Sequence, residues 1–183
     1  GTKVTFASFG ALNKELTVSG KGTMTVANAA VAVDKLTLSG ATLNADFGIN
    51  PTTALSLKIT EPSQLISRAG KDLTLAALDI DMTGADAATP YVDIDGELKS
   101  ISKVNINLTG VSSLAAGEYK LISAESTGIS ADDLQVTFDT EAPEGMEYVV
   151  EIIGSNLVFR KAFLSDWVWE GSANGEGTVW SGD

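Results

Sequence analysis

Apolar and polar residues alternate along much of the chain. From Leu16 onward short runs place an apolar residue at every second position with small polar residues between: Leu16-Thr17-Val18, Leu36-Thr37-Leu38, Leu55-Ser56-Leu57, Leu73-Thr74-Leu75 and Val92-Asp93-Ile94. A period of two belongs to a β-strand with one face buried. The runs start 20, 19, 18 and 19 residues apart. A second set trails at looser spacing: Met24-Thr25-Val26, Leu43-Asn44-Ala45, Gln64-Leu65-Ile66, Ile80-Asp81-Met82 and Leu98-Lys99-Ser100. A strand that returns about every 19 residues predicts a β-solenoid, each coil burying its apolar face on its neighbours. Turn formers separate the runs, among them Ser19-Gly20, Ser39-Gly40, Glu61-Pro62 and Asp95-Gly96. Residues 64–78 also fit helical spacing in part, but Gly70 interrupts them and Leu73-Thr74-Leu75 keeps the strand period.

After residue 104 the period fades, and the clearest hairpin of the chain follows. Glu147–Ile153 and Asn156–Lys161 flank Gly154-Ser155, which suits a two-residue type II′ turn. That turn sets Ile152 opposite Leu157 and Val150 opposite Phe159 on an apolar face, with Val149 opposite Arg160 and Glu151 opposite Val158 on the other. A hairpin at the end of a parallel stack covers an edge that otherwise invites aggregation. The predicted organisation is a solenoid domain over 1–162, with regular coils over about 16–104 and a cap over about 105–162. A tail over 163–183 would begin a further repeat. The fold class is all-β, a right-handed parallel β-helix with a C-terminal antiparallel hairpin cap. The alternative is a β-sandwich or jelly roll, whose short strands recur every 8–12 residues or so.

Composition narrows the function. Among 183 residues, 24 Asp and Glu stand against 12 Lys and Arg, a net charge of −12, with no histidine and no cysteine. Disulfides, thiolate metal sites and cysteine nucleophiles are excluded, and the commonest general base is missing. An acidic chain repels nucleic acid and anionic lipid. No apolar run approaches the roughly 18 residues of a membrane span.

Two residue sets carry candidate chemistry. Asp79 and Asp81, and likewise Asp93 and Asp95, sit two apart on one strand face. Were these phrases on adjacent coils, their carboxylates would form a ridge able to ligate Ca²⁺ or to supply the acid and base of a glycoside hydrolase. The plainer reading, which the sequence favours, is a solvent-facing row beside inward Leu78, Ile80, Met82, Val92 and Ile94. No other cofactor is implied. Trp167 and Trp169 share a strand face, and with Trp180 they would offer a flat platform to the apolar face of a sugar. The competing reading packs these rings on the solenoid end, and Tyr119, Tyr148 and Phe159 read as core or cap residues.

The Leu-Thr-Val-Ser-Gly phrase at Leu16 and Leu-Thr-Leu-Ser-Gly at Leu36 resemble the autotransporter-associated β-strand repeats of large bacterial surface proteins. Gly117-Glu118-Tyr119-Lys120-Leu121 followed by a hairpin through Asn156-Leu157-Val158 is similar to the C-terminal end of a pertactin-like passenger, and Trp167-Val168-Trp169 with Trp180 to the start of a further repeat block. The resemblance implies a right-handed parallel β-helix exported to the cell surface or beyond, held at the outer membrane by parts of a parent chain outside this sequence. The expected function is a non-catalytic stalk, spacer or adhesin, whose partners would be glycans or surface proteins. A carbohydrate-binding module using Trp167 and Trp169 is the alternative, ahead of a glycan-active β-helix enzyme.

Overall fold

The computed structural model describes residues 4–6, 15–30, 33–46, 54–67, 71–164, 167–170 and 179–182. Among these residues the chain is all-β, with no α-helix and two 3-10 turns at Val111–Ser113 and Ala131–Asp133. The strands are β1 (Val4–Phe6), β2 (Glu15–Ala30), β3 (Lys35–Asp46), β4 (Leu55–Ile59), β5 (Gln64–Ser67), β6 (Leu73–Asp81) and β7 (Val92–Lys99). They continue with β8 (Val104–Thr109), β9 (Gly117–Thr127), β10 (Leu134–Phe138), β11 (Met146–Ile153) and β12 (Asn156–Phe163). A separate two-stranded sheet holds β13 (Trp167–Glu170) and β14 (Val179–Gly182).

Pairing from β1 to β10 is parallel, which is not the antiparallel pairing of a sandwich. Two ladders run through it. The first joins Leu16, Leu36, Leu57, Leu78, Ile106 and Val136 in register, with Val18, Leu38, Ile59, Ile80, Leu108 and Phe138 beside them. The second joins Met24, Leu43, Leu65, Val92 and Ile122. β3 serves both, its first half on β4 and its second on β5. Because β4 pairs with β6, β5 with β7, and β6 with β7, five parallel strands close a ring. Inside it Leu36, Leu38, Leu43, Leu57, Ile59, Leu65, Leu78 and Ile80 are at most 1% exposed. Burying a side chain of this size is worth about 1.5–3 kcal/mol.

The register corrects the expected period. The first ladder, at positions 16, 36, 57, 78, 106 and 136, advances by 20, 21, 21, 28 and 30 residues. Leu36 therefore pairs with Leu57 and not with Leu55. Val92-Asp93-Ile94 belongs to the second ladder, on Leu65-Ile66-Ser67, while Ile80 belongs to the first. Both ladders use the same alternation, so periodicity cannot say which one a run joins. Parallel pairing also continues beyond residue 104 into β8, β9 and β10.

The end of the stack is antiparallel. β12 lies between β9 and β11, and the expected register holds, with Val150 opposite Phe159, Ile152 opposite Leu157 and Gly154 at φ 63 in the turn. Phe159, fully buried, touches Tyr119, Phe138 and Tyr148 at centroid distances of 6.1, 5.9 and 5.7 Å, so one ring joins the last rungs of both ladders. Lys161, only 5% exposed, donates to the carbonyls of Ser112 at 3.0 Å and Leu114 at 2.8 Å and lies 5.7 Å from the Tyr148 ring centre. Tyr119 donates to Ala115 O at 3.1 Å. These bonds hold the 110–116 loop and satisfy polar groups that would be costly to bury alone.

Where β7 leaves β5 for β6, its backbone passes close to Lys71-Asp72. Asp72 accepts the Glu97 N–H at 3.0 Å and the Lys99 ammonium at 2.5 Å. The Lys99 bond first, then the Glu97 N–H, hold the Asp72 carboxyl below the usual carboxylate range. A methyl group on Gly96 would stand 2.3 Å from Lys71 O and 2.5 Å from Lys71 C. Gly96→Ala should therefore destabilise the fold by about 3 kcal/mol, through backbone overpacking. Gly84→Ala, at φ 74 with open space around it, should cost only about 1 kcal/mol. Urea denaturation of the two variants checks the difference.

Candidate functional site

The longer rungs of the first ladder arise at one corner, where the chain turns from the first ladder to the second. Gly40, at φ 69, makes that turn within β3. Residues 60–63 make it in the next rung, and residues 82–91 in the one after. The last segment, Met82-Thr83-Gly84-Ala85-Asp86-Ala87-Ala88-Thr89-Pro90-Tyr91, is ordered by its own bonds. Asp86 accepts the Ala88 N–H at 3.0 Å and the Thr89 hydroxyl at 2.9 Å, bonds that hold its carboxyl below the usual range. Ala85 N–H donates to Met82 O at 3.0 Å. Tyr91 turns inward, 6% exposed, and its hydroxyl donates to Asp81 O at 3.4 Å.

This corner loop overhangs the two shorter corners and leaves a cleft of about 340 Å³. Pro62, Pro90, Ala85 and the Tyr91 ring give it apolar walls; Thr42, Ser63, Gln64 and Thr89 bring hydroxyl and amide groups. Ser63 Oγ already accepts the Ala41 N–H at 3.3 Å, and the Asp86 carboxylate is occupied within its own loop. The cleft thus sets hydroxyl and amide groups beside apolar surface, with the ionised Asp86 carboxylate among its lining residues, a setting suited to a small polar ligand. Period-two alternation marks strands and carries no information about how the corners between them fold, so the cleft does not show in it. The available signal was the run of turn formers from Thr83 to Pro90, at the place where the ladder step lengthens.

The expected aspartate ridge does not assemble. Asp79 lies between Lys58 and Asn107 on the outside of the first ladder, and Asp81 pairs with Thr109 and accepts the Thr83 N–H at 3.0 Å. Asp93 lies between Ile66 and Ser123 on the second ladder, and with Asp95 and Glu125 it lines a separate open depression of about 550 Å³. The two pairs are set apart because Asp79-Ile80-Asp81 and Asp93-Ile94-Asp95 join different ladders. Among the described residues no three His, Cys, Asp or Glu side chains form a cluster able to hold a metal ion. In the tail, Trp169 is opposite Trp180 and Trp167 opposite Gly182 in the β13–β14 pair; their side chains lie outside the described residues.

No family model, curated protein or solved structure matches the chain.

Burial, with a smaller contribution from the Asp81 charge, pushes the Tyr91 phenol up to about 12. A raised folded pKa means that the fold favours the protonated phenol. Its contribution is complete below the unfolded value of about 10 and is lost as pH rises toward 12. Stability measured by urea titration should fall across that interval, and Tyr91→Phe should reduce the fall. A remainder is expected from Tyr148, whose phenol is raised by burial and by Asp139. Ultraviolet absorbance of the phenolate reads the same transition directly.

Proposed function

We propose that the chain is a segment of right-handed parallel β-helix serving as a non-catalytic stalk or spacer of a secreted or cell-surface bacterial protein. The observation that carries this reading is the pair of in-register apolar ladders, in which successive rungs add hydrogen bonds and buried side chains along one direction. In such an array each rung depends mainly on its neighbours. A structure of this kind extends by repetition and resists being pulled apart along its strands. The acidic surface keeps it soluble and apart from anionic membrane. The resemblance of the Leu-Thr-Val-Ser-Gly and Leu-Thr-Leu-Ser-Gly phrases to surface-protein repeats supports the same setting.

Force spectroscopy on the chain held near residues 16 and 164 tests the mechanical role. At about 0.35 nm per extended residue, rungs of 20–21 residues should release roughly 7 nm each, and those of 28–30 roughly 10 nm. Stepwise release well above thermal forces is expected. Unravelling at a few piconewtons without steps defeats the spacer reading.

A second reading, adhesion to a neutral glycan, rests on the corner cleft of about 340 Å³. A glycan array should then give binding that a Thr42→Ala/Gln64→Ala pair weakens about tenfold or more, the loss expected for two direct hydrogen bonds. Binding unaffected by that pair removes the cleft from consideration.

A further inference from the structure

The two ladders end differently. The second is closed by β12, seated antiparallel on β9, and then by β11. The first ends on β10, which pairs with β8; among the described residues no strand takes its other side. Leu134, Val136 and Phe138 are only partly buried there, whereas Leu38, Ile59, Ile80 and Leu108 on the same ladder are at most 1% exposed. An open edge of this kind presents unpaired backbone groups to any available strand.

The chain is brought to that edge by its own path. β12 runs against β9, so its end, with Lys161 opposite Gly117, returns to the corner where strands of the first ladder finish. There the Leu164 N–H donates to Gly145 O at 2.8 Å, and Gly145 ends the loop that follows β10. Phe163 and Leu164 stand 70% and 49% exposed at this point, and β13 begins three residues after Leu164. A strand entering the first ladder from its finishing corner must run opposite to β10.

We propose that β13–β14, which forms a sheet of its own here, docks as a second terminal hairpin antiparallel on the free edge of β10, as β12–β11 is seated on β9. The occupant is this chain's own Trp167–Glu170 strand, and the new pairing continues a sheet already built. The apolar alternation selects the register: Trp169 opposite Val136 and Trp167 opposite Phe138, which sets Val168 beside Thr137 and Glu170 beside Gln135. This assignment extends the ladder by apolar positions next to the Phe138, Tyr148 and Phe159 rings. It goes beyond the spacer reading, since it needs only the sheet. It also makes the tryptophan positions part of the end packing and not a ligand platform.

The chain has no cysteine, so an introduced pair reports unambiguously. In the full chain, Thr137→Cys/Val168→Cys should oxidise to an intramolecular disulfide, because directly opposed antiparallel positions lie within bonding range. Lys58→Cys/Val168→Cys should not, since Lys58 lies three rungs from Thr137 on the same ladder. As a second measurement, Val168→Pro should speed hydrogen exchange of the 134–138 amides by about tenfold or more while leaving β8 unchanged. An intramolecular bond in the first pair only, with faster exchange in the proline variant, supports the proposal. No bond with unchanged exchange overturns it. So does equal bonding in both pairs, which means a freely colliding tail, or bonding only between chains, which means that a second copy holds the edge.

Discussion

Everything in this molecule depends on keeping like residues above one another. Parallel strands lie about 4.8 Å apart, and at that spacing an aliphatic side chain fills its space only if the next rung presents another at the same register. Leu36 on Leu57 on Leu78 on Ile106 satisfies the condition, as does Leu43 on Leu65 on Val92 on Ile122. A slip of one residue would turn each rung's apolar set outward. The corners, the Asp72 clamp and the close approach at Gly96 all serve to hold that register.

The aromatic end solves the problem that such stacking creates. A ladder of aliphatic residues has no natural stop, and its last rung would meet water. Phe159 lies on an antiparallel strand of the second ladder and touches Phe138 of the first, with Tyr119 and Tyr148 against it. Large rings bridge a gap that aliphatic side chains are too short to span, and the buried Lys161 ties the same region to a loop through two carbonyls.

How legible each part was follows from the range of the interaction that set it. The β11–β12 register could be read residue by residue because a two-residue turn at Gly154-Ser155 dictates local pairing. The assignment of strands to ladders could not, because Val92 and Leu78 look alike and only the length of the intervening corner separates them. The same ambiguity bears on the aspartates: a ridge requires Asp79 and Asp93 to be neighbours on one ladder, and they lie on two. The corner cleft was hidden for another reason. It is built by three segments, Gly40–Thr42, Pro62–Gln64 and Gly84–Tyr91, which carry turn formers but nothing in sequence that says they meet.

The unequal rungs have a consequence for how such a chain changes over time. A step of 20 residues and one of 30 both advance the ladder by one strand spacing. The additional residues are accommodated at the corners and leave the aliphatic column beneath them in register. Surface novelty and core geometry are therefore decoupled: a corner can gain or lose ten residues, and with them a cleft, while the column remains the same to its neighbours above and below. A sequence under such rules can diverge quickly in its corners and still fold alike.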